Sequence, residues 1–121
     1  MICKYNESDK KEVMDIWLNT NIASHYFIPP EYWKSRFGIV EKEYLPDSTT
    51  YVYRENNTIK GFISLTNTYF VGALFSAQPY QGQGIGSKLI TYCQNIYDHL
   101  EAAVYLQNAR AVSFYLKHGF T

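Results

Sequence analysis

Val13, Ile16, Trp17 and Thr20 recur three and four residues apart, the spacing of one buried face of an α-helix. Asn6 and Ser8 stand before that run as N-cap residues, and residues 2–5 ahead of them alternate weakly, as a short first strand does. Pro29 and Pro30 close the first helix and open a second, on which Trp33, Phe37, Val40 and Tyr44 keep the helical spacing until Pro46, Asp47 and Ser48 end it. From Thr50 the period changes to two. Residues 51–54, an Asn56-Asn57 turn and residues 59–65 predict a β-hairpin, and residues 69–77 predict a further apolar strand. A glycine-rich stretch follows, then Ile85, Leu89, Ile90, Cys93, Ile96 and Tyr97 mark one face of an amphipathic helix. Residues 102–106 predict another strand, and residues 109–117 a last helix ended by Gly119. The order β-α-α-β-β-β-α-β-α is that of a mixed α/β fold, in which an α+β sheet carries helices.

At 121 residues the chain has the length of one domain with one core, residues 1–121. Eleven Lys and Arg balance eleven Asp and Glu, so no long-range attraction to nucleic acid or to an anionic membrane is encoded in the net charge. No run approaches the length of a membrane span and no leader pattern opens the chain, which predicts a cytoplasmic protein. Cys3 and Cys93 match no redox or metal spacing, and His25, His99 and His118 are equally dispersed; reduced thiols and no metal are expected. Aromatic residues reach 17%, including 12 Tyr, a supply of rings for a core and for the walls of a pocket.

The candidate chemistry begins where a predicted strand meets a predicted helix. Gln81, Gly82, Gln83, Gly84, Ile85, Gly86 and Ser87 place three glycines in five residues over a helix N-terminus. Free N–H groups and the helix dipole there favour a phosphate or pyrophosphate, while the competing reading is a tight turn with close packing of helix on sheet. A Walker A loop would end Gly-Lys-Ser/Thr, and this one runs Gly86-Ser87-Lys88. The dinucleotide fingerprint would put a third glycine where Ser87 stands.

The spacing that fits is Q/R-x-x-G-x-G/A, met by Gln81, Gly84 and Gly86. A second block, Asn108, Ala111, Phe114, Tyr115, Gly119 and Phe120, matches N-x-x-A-x-x-F-Y-x-x-x-G-F. In these two blocks, in this order, the chain resembles the GCN5-related N-acetyltransferase (GNAT) family. The resemblance implies that acetyl-coenzyme A is the acetyl donor and that a primary amine, of a small molecule or a peptide, is the acceptor. It places the pyrophosphate on the backbone of residues 81–87, the pantetheine arm along Phe75 and Ser76, and Asn108 on the arm's other side. Asn108 read alone is equally a helix N-cap. Tyr115 matches the tyrosine that protonates the departing thiolate; read alone it is a core aromatic beside Phe114.

The resemblance also implies an acceptor site between the first helices and the central strands, with Phe27, Tyr32, Trp33 and Phe70 as lining and His25 and Tyr26 beside them. Some relatives carry a glutamate base where this chain has Ala103, leaving ordered water, Glu31 or His25 as alternatives. Relatives continue past the position of Thr121 into two more strands that flank the strand expected at 102–106. That run is apolar throughout and holds no lysine or proline of the kind that guards a sheet edge, which predicts a homodimer formed through it. Two other readings accompany the enzyme: an idle coenzyme A-binding remnant, and an interaction module that uses the same edge.

Overall fold

The structure is a computed structural model and describes residues 1–121. Strand β1 (Ile2–Lys4) leads into helix α1 (Lys10–Ser24) and helix α2 (Pro30–Ile39). Strands β2 (Thr49–Glu55), β3 (Thr58–Thr66) and β4 (Phe70–Ser76) follow, then helix α3 (Ile85–Ile96), strand β5 (Glu101–Ala102) and helix α4 (Ala109–Lys117). The five strands form one sheet in the order β1-β2-β3-β4-β5, antiparallel except for the parallel pair β4 and β5. This is the α/β architecture expected from the order of elements.

Each face of the sheet is covered by helices. Val13, Met14, Ile16 and Trp17 of α1 pack with Trp33 of α2 on Val52, Ile59 and Phe62, whereas Ile85, Leu89, Ile90 and Cys93 of α3 pack on Tyr51, Ile63, Leu65 and Val71. Full burial of one aliphatic or aromatic side chain contributes about 1.5–3 kcal/mol, so these two clusters fix which face each helix takes. The start of α1 is pinned by polar contacts as well. Asn6 and Asp9 form a reciprocal capping box, Arg54 reaches the buried Asp9 at 2.7 Å, and Glu12 accepts from the Ile59 N–H at 3.1 Å. These ties aim the C-terminal turn of α1 across the sheet toward β4.

Both hairpins turn on pairs of residues with positive φ, Asn56-Asn57 and Asn67-Thr68. The strand pairing of β4 is broken once: Ser64 pairs with Ala73 and Leu65 with Val71, leaving Gly72 without a partner. Gly72 is therefore a β-bulge. It explains why Val71 packs on the α3 side while Ala73, two residues on, packs on the α1 side, although period two would put both on one face.

Three expectations are corrected. The strand expected at 102–106 is only Glu101–Ala102, because β4 offers partners at Phe70 and Val71 and then turns away; the chain leaves the sheet and Tyr105 packs its ring on His25 and Phe27 at 5.1 and 5.5 Å. The second helix widens into a π-helical segment (Val40–Tyr44) and ends in a last helical turn (Leu45–Asp47), which leaves Tyr44 exposed. Ile96, counted on the buried face of α3, lies half-exposed in its last turn.

Candidate active site

Beyond the pair Val71–Ala102, β4 and β5 diverge, so the side of β4 that faces β5 has no strand partner from Gly72 to Ser76. A bare strand edge inside a cleft offers N–H and C=O groups to an extended ligand, as another strand would. The cleft measures about 820 Å³. Leu74, Phe75 and Ser76 form one wall, Thr20, Ala23 and Ser24 of α1 another, and the glycine loop with Asn108, Arg110 and Phe114 closes the rest.

At the loop, the short 3₁₀ turn Gln78–Tyr80 carries the chain out of β4, and Gly84 then serves as N-cap of α3 with φ of 80°. No side chain caps this helix, and its first internal hydrogen bond runs from Lys88 N–H to the Gly84 carbonyl at 3.0 Å. The amides of Ile85, Gly86 and Ser87 consequently donate nothing within the helix and sit at its positive end. Gln81 donates from Nε2 to the Ser76 carbonyl at 3.1 Å, tying the loop to the end of β4. Its side chain is a strut between loop and strand. On the far side of the sheet edge Gly61 lets the parts close up: a Cβ there would meet the Phe75 carbonyl oxygen at 2.7 Å and Ile85 Cγ2 at 2.8 Å.

Asn108 is the N-cap of α4, its Oδ1 accepting from the Ala111 N–H at 3.2 Å, and it also lines the cleft. Both readings of this residue thus coexist. Tyr115 lies about two helical turns further along α4, packed edge-on between Phe114 and Phe120, with its phenol pushed up to about 12 by burial. Its side chain lines the cofactor-sized cleft on one side and a second groove on the other.

Of the expected acceptor residues, Phe27, Tyr32 and Trp33 are brought together around His25. Trp33 and Phe27 lie 5.1 and 5.7 Å from its ring, and Tyr32 packs on Trp33 at 5.0 Å. Trp33 is at the same time part of the core under α1. Phe70 stands apart, at the start of β4 opposite Glu101 and Thr66. His25 is buried, with its Nδ1 on the Asn21 carbonyl at 3.1 Å, and burial lowers its pKa against the partial opposition of that carbonyl. No carboxylate and no imidazole lines the cleft itself. No cluster of His, Cys, Asp or Glu is arranged to hold a metal ion.

Sequence reasoning missed Thr20 and Arg110 as cleft residues. Thr20 reads as one more position on the buried face of α1, yet its hydroxyl is buried without a hydrogen-bond partner in a wall of the cleft. A polar residue at a core position of a helical repeat was the available signal. Arg110 carried no signal, since it follows the cap by two residues and belongs to neither motif position.

The model of the acetyltransferase (GNAT) family matches residues 11–120. The peptidyl-lysine N-acetyltransferase YiaC of Escherichia coli is 32% identical over 120 residues, a match spanning 99% of this chain and 82% of that protein. The solution structure of apo-form YjaB from Escherichia coli superposes with a TM-score of 0.82 at 28% identity, over 97% of this chain and 79% of that one. A PaiA N-acetyltransferase from Thermoplasma acidophilum, solved in complex with coenzyme A, superposes with a TM-score of 0.87 at 19% identity, over 100% and 89% of the two chains. The splayed strands, the uncapped helix and the two sequence blocks have the same explanation as these similarities: the chain belongs to the GNAT family of N-acetyltransferases.

Proposed function

We propose that this protein, acting as a single domain over residues 1–121, transfers the acetyl group of acetyl-coenzyme A to the ε-amine of a lysine in a peptide or protein. The observation that carries this reading is the cleft, in which a bare β4 edge runs into an uncapped helix N-terminus with Asn108 and Tyr115 opposite. The 32% identity to a peptidyl-lysine N-acetyltransferase supports the choice of amine. Acetyl-coenzyme A supplies an activated thioester, whose carbonyl carbon the amine attacks. Backbone N–H groups of residues 81–87 hold the pyrophosphate, most directly Ile85, Gly86 and Ser87; Gly82 and Gly84 keep side-chain bulk away from it, and Gln83 between them takes part through its backbone. Phase-matched backbone groups at Phe75 and Ser76 pair with the pantetheine arm, and Asn108 hydrogen-bonds the arm from the α4 side.

Tyr115 is the proton donor. As the C–N bond forms and the C–S bond breaks, its phenol gives a proton to the sulfur and is reprotonated from solvent. A phenol held at about 12 stays protonated throughout the working range of such an enzyme. With no carboxylate or imidazole lining the cleft, the amine loses its own proton to water. Phe27, Tyr32 and Trp33, gathered around His25, form the acceptor side, with Phe70 a separate position at the start of β4. The free cysteines Cys3 and Cys93 suit a reducing cytoplasm, and the apolar face beside β5 supports a homodimer. No helix is long and apolar enough to cross a membrane.

A thiol-release assay with acetyl-coenzyme A and a lysine-containing peptide tests the reading. Release that requires the peptide, and disappears when its lysine is acetylated beforehand, is the expected result. Tight binding of coenzyme A with no release across a panel of lysine peptides would return the protein to an idle remnant.

A further inference from the structure

Asn108 touches a partner that its role as helix cap does not require: its Nδ2 lies 3.4 Å from Nε2 of His25, a residue 83 positions away on the end of α1. The polarity of this contact follows from the neighbours. The Asn21 carbonyl can only accept, so Nδ1 of His25 carries a hydrogen, and in the neutral ring Nε2 is then a lone pair. On the other side, the Ala111 N–H can only donate, so Oδ1 of Asn108 faces α4 and the amide NH₂ faces His25. Donor meets acceptor, and the one hydrogen left on Nδ2 is available to the cleft that Asn108 lines. We propose that His25 is a positioning residue for acetyl-coenzyme A: its neutral imidazole holds the Asn108 amide in the one orientation that both caps α4 and presents an N–H donor to the carbonyl of an amide-containing ligand arm.

This inference rests on Asn108 being a cofactor ligand, as proposed above. Its chemistry makes it sensitive to protonation. A protonated His25 would turn a second N–H toward the Asn108 NH₂, and the amide could relieve that clash only by flipping, which would strip the cap from α4. The groups packed on the ring are Asn21 from α1, Phe27 from the connecting loop, Trp33 from α2, and Tyr105 with Asn108 from the segment before α4; burial among them favours the neutral ring, against the Asn21 carbonyl, which favours the protonated one. Only Tyr105 among these is titratable, and none carries a charge near neutrality. The folded-state pKa of His25 is lowered by burial, so the neutral form prevails into the ordinary histidine range and the contact is lost only as pH falls below that range.

The test is titration of acetyl-coenzyme A into wild type, His25→Phe, His25→Gln, Asn108→Ala and the double variant His25→Phe/Asn108→Ala, at about pH 8 and about pH 5, on either side of the histidine range. His25→Phe keeps the aromatic packing and loses the acceptor, and it should bind about five- to tenfold more weakly, the worth of one hydrogen bond. kcat at saturating cofactor should move much less than KM. His25→Gln restores an uncharged acceptor; it should match wild type at the higher pH and bind more tightly than wild type at the lower. The ratio of those two affinities cancels titration of the ligand's own phosphates. In the Asn108→Ala background, His25→Phe should cost nothing further. If Asn108→Ala leaves affinity unchanged, the cofactor role of Asn108 fails. If Asn108→Ala weakens binding but His25→Phe does not, or the Gln-to-wild-type ratio is the same at both pH values, the positioning role alone is overturned. Should His25→Phe not fold, that ratio decides by itself.

Discussion

Tyr115 and Thr20 are polar side chains placed at positions that pattern alone assigns to packing. For Tyr115, burial pushes the phenol up to about 12, so its acid form persists well beyond the pH at which a lysine amine becomes neutral. Tyr115→Phe should lower kcat about a hundredfold while leaving the affinity for acetyl-coenzyme A nearly unchanged, since removing a general acid costs a factor of that order. Thiol release together with a binding titration measures both. The sign of the pH dependence follows from the raised pKa: kcat/KM should climb as the substrate amine deprotonates and show no falling limb up to about pH 10, below the shifted phenol. Thr20 is the opposite case, a hydroxyl that is 3% exposed and bonded to nothing. An unsatisfied buried hydroxyl costs about 1–3 kcal/mol, so the isosteric Thr20→Val should raise the melting temperature of the ligand-free protein. If the hydroxyl bonds the ligand, the same variant should bind acetyl-coenzyme A several-fold more weakly. A gain in stability without a loss in affinity would leave Thr20 as a packing residue only.

Among the elements, the loop and α3 act as one unit, because Gly84 is both the last residue of the loop and the cap of the helix. Its φ of 80° is a conformation that a β-branched residue adopts only with strain, although nothing lies within 4 Å of where a Cβ would sit. Gly84→Val should therefore weaken acetyl-coenzyme A binding at least tenfold by pulling the amides of Ile85 to Ser87 out of line, with a modest loss of stability of about 1–2 kcal/mol. Calorimetry beside a denaturation curve separates these two effects; equal affinity in the folded variant would remove the loop from the cofactor site. This unit was legible from sequence because its geometry demands glycine where φ is positive, just as the start of α4 was legible from the asparagine that caps it. The length of β5 was not legible. Ala102, Ala103, Val104, Tyr105 and Leu106 read as a covered strand from their apolarity, but where a strand stops depends on its neighbour, and β4 turns away after Val71 through a bulge at Gly72 that no local pattern announces. The tie between His25 and Asn108 escaped for a similar reason, since it joins elements 83 positions apart whose approach is set by the packing of α1.

For the whole molecule, the sheet has one edge at β1 and the other at β5, and exposed apolar side chains gather beside β5. A groove of about 590 Å³ lies there, bounded by Leu100, Ala102, Val104, Leu106, Val112 and Phe120. Leu106 is 86% exposed and Leu116 60%, whereas monomers seldom gather such side chains at an unpaired strand. The shortness of β5 changes the form of the contact expected from sequence: a two-residue edge provides few ladder bonds, so association must come mainly from apolar side chains in the groove. The edge is also partly guarded, because Glu101 points a carboxylate at His99 Nε2 at 2.7 Å. Two copies related by a two-fold axis would bury the groove of each against the other, the commonest closed arrangement for a self-complementary patch. Tyr115 lines this groove as well as the cleft, so the second copy would lie next to the proposed proton donor. Sedimentation at micromolar concentration should then give twice the monomer mass of 14.1 kDa. Leu106→Asp should return it to the monomer with the fold intact, and should lower turnover more than cofactor affinity. A monomeric wild type at that concentration, or a dimer indifferent to Leu106→Asp, would exclude this surface as the interface.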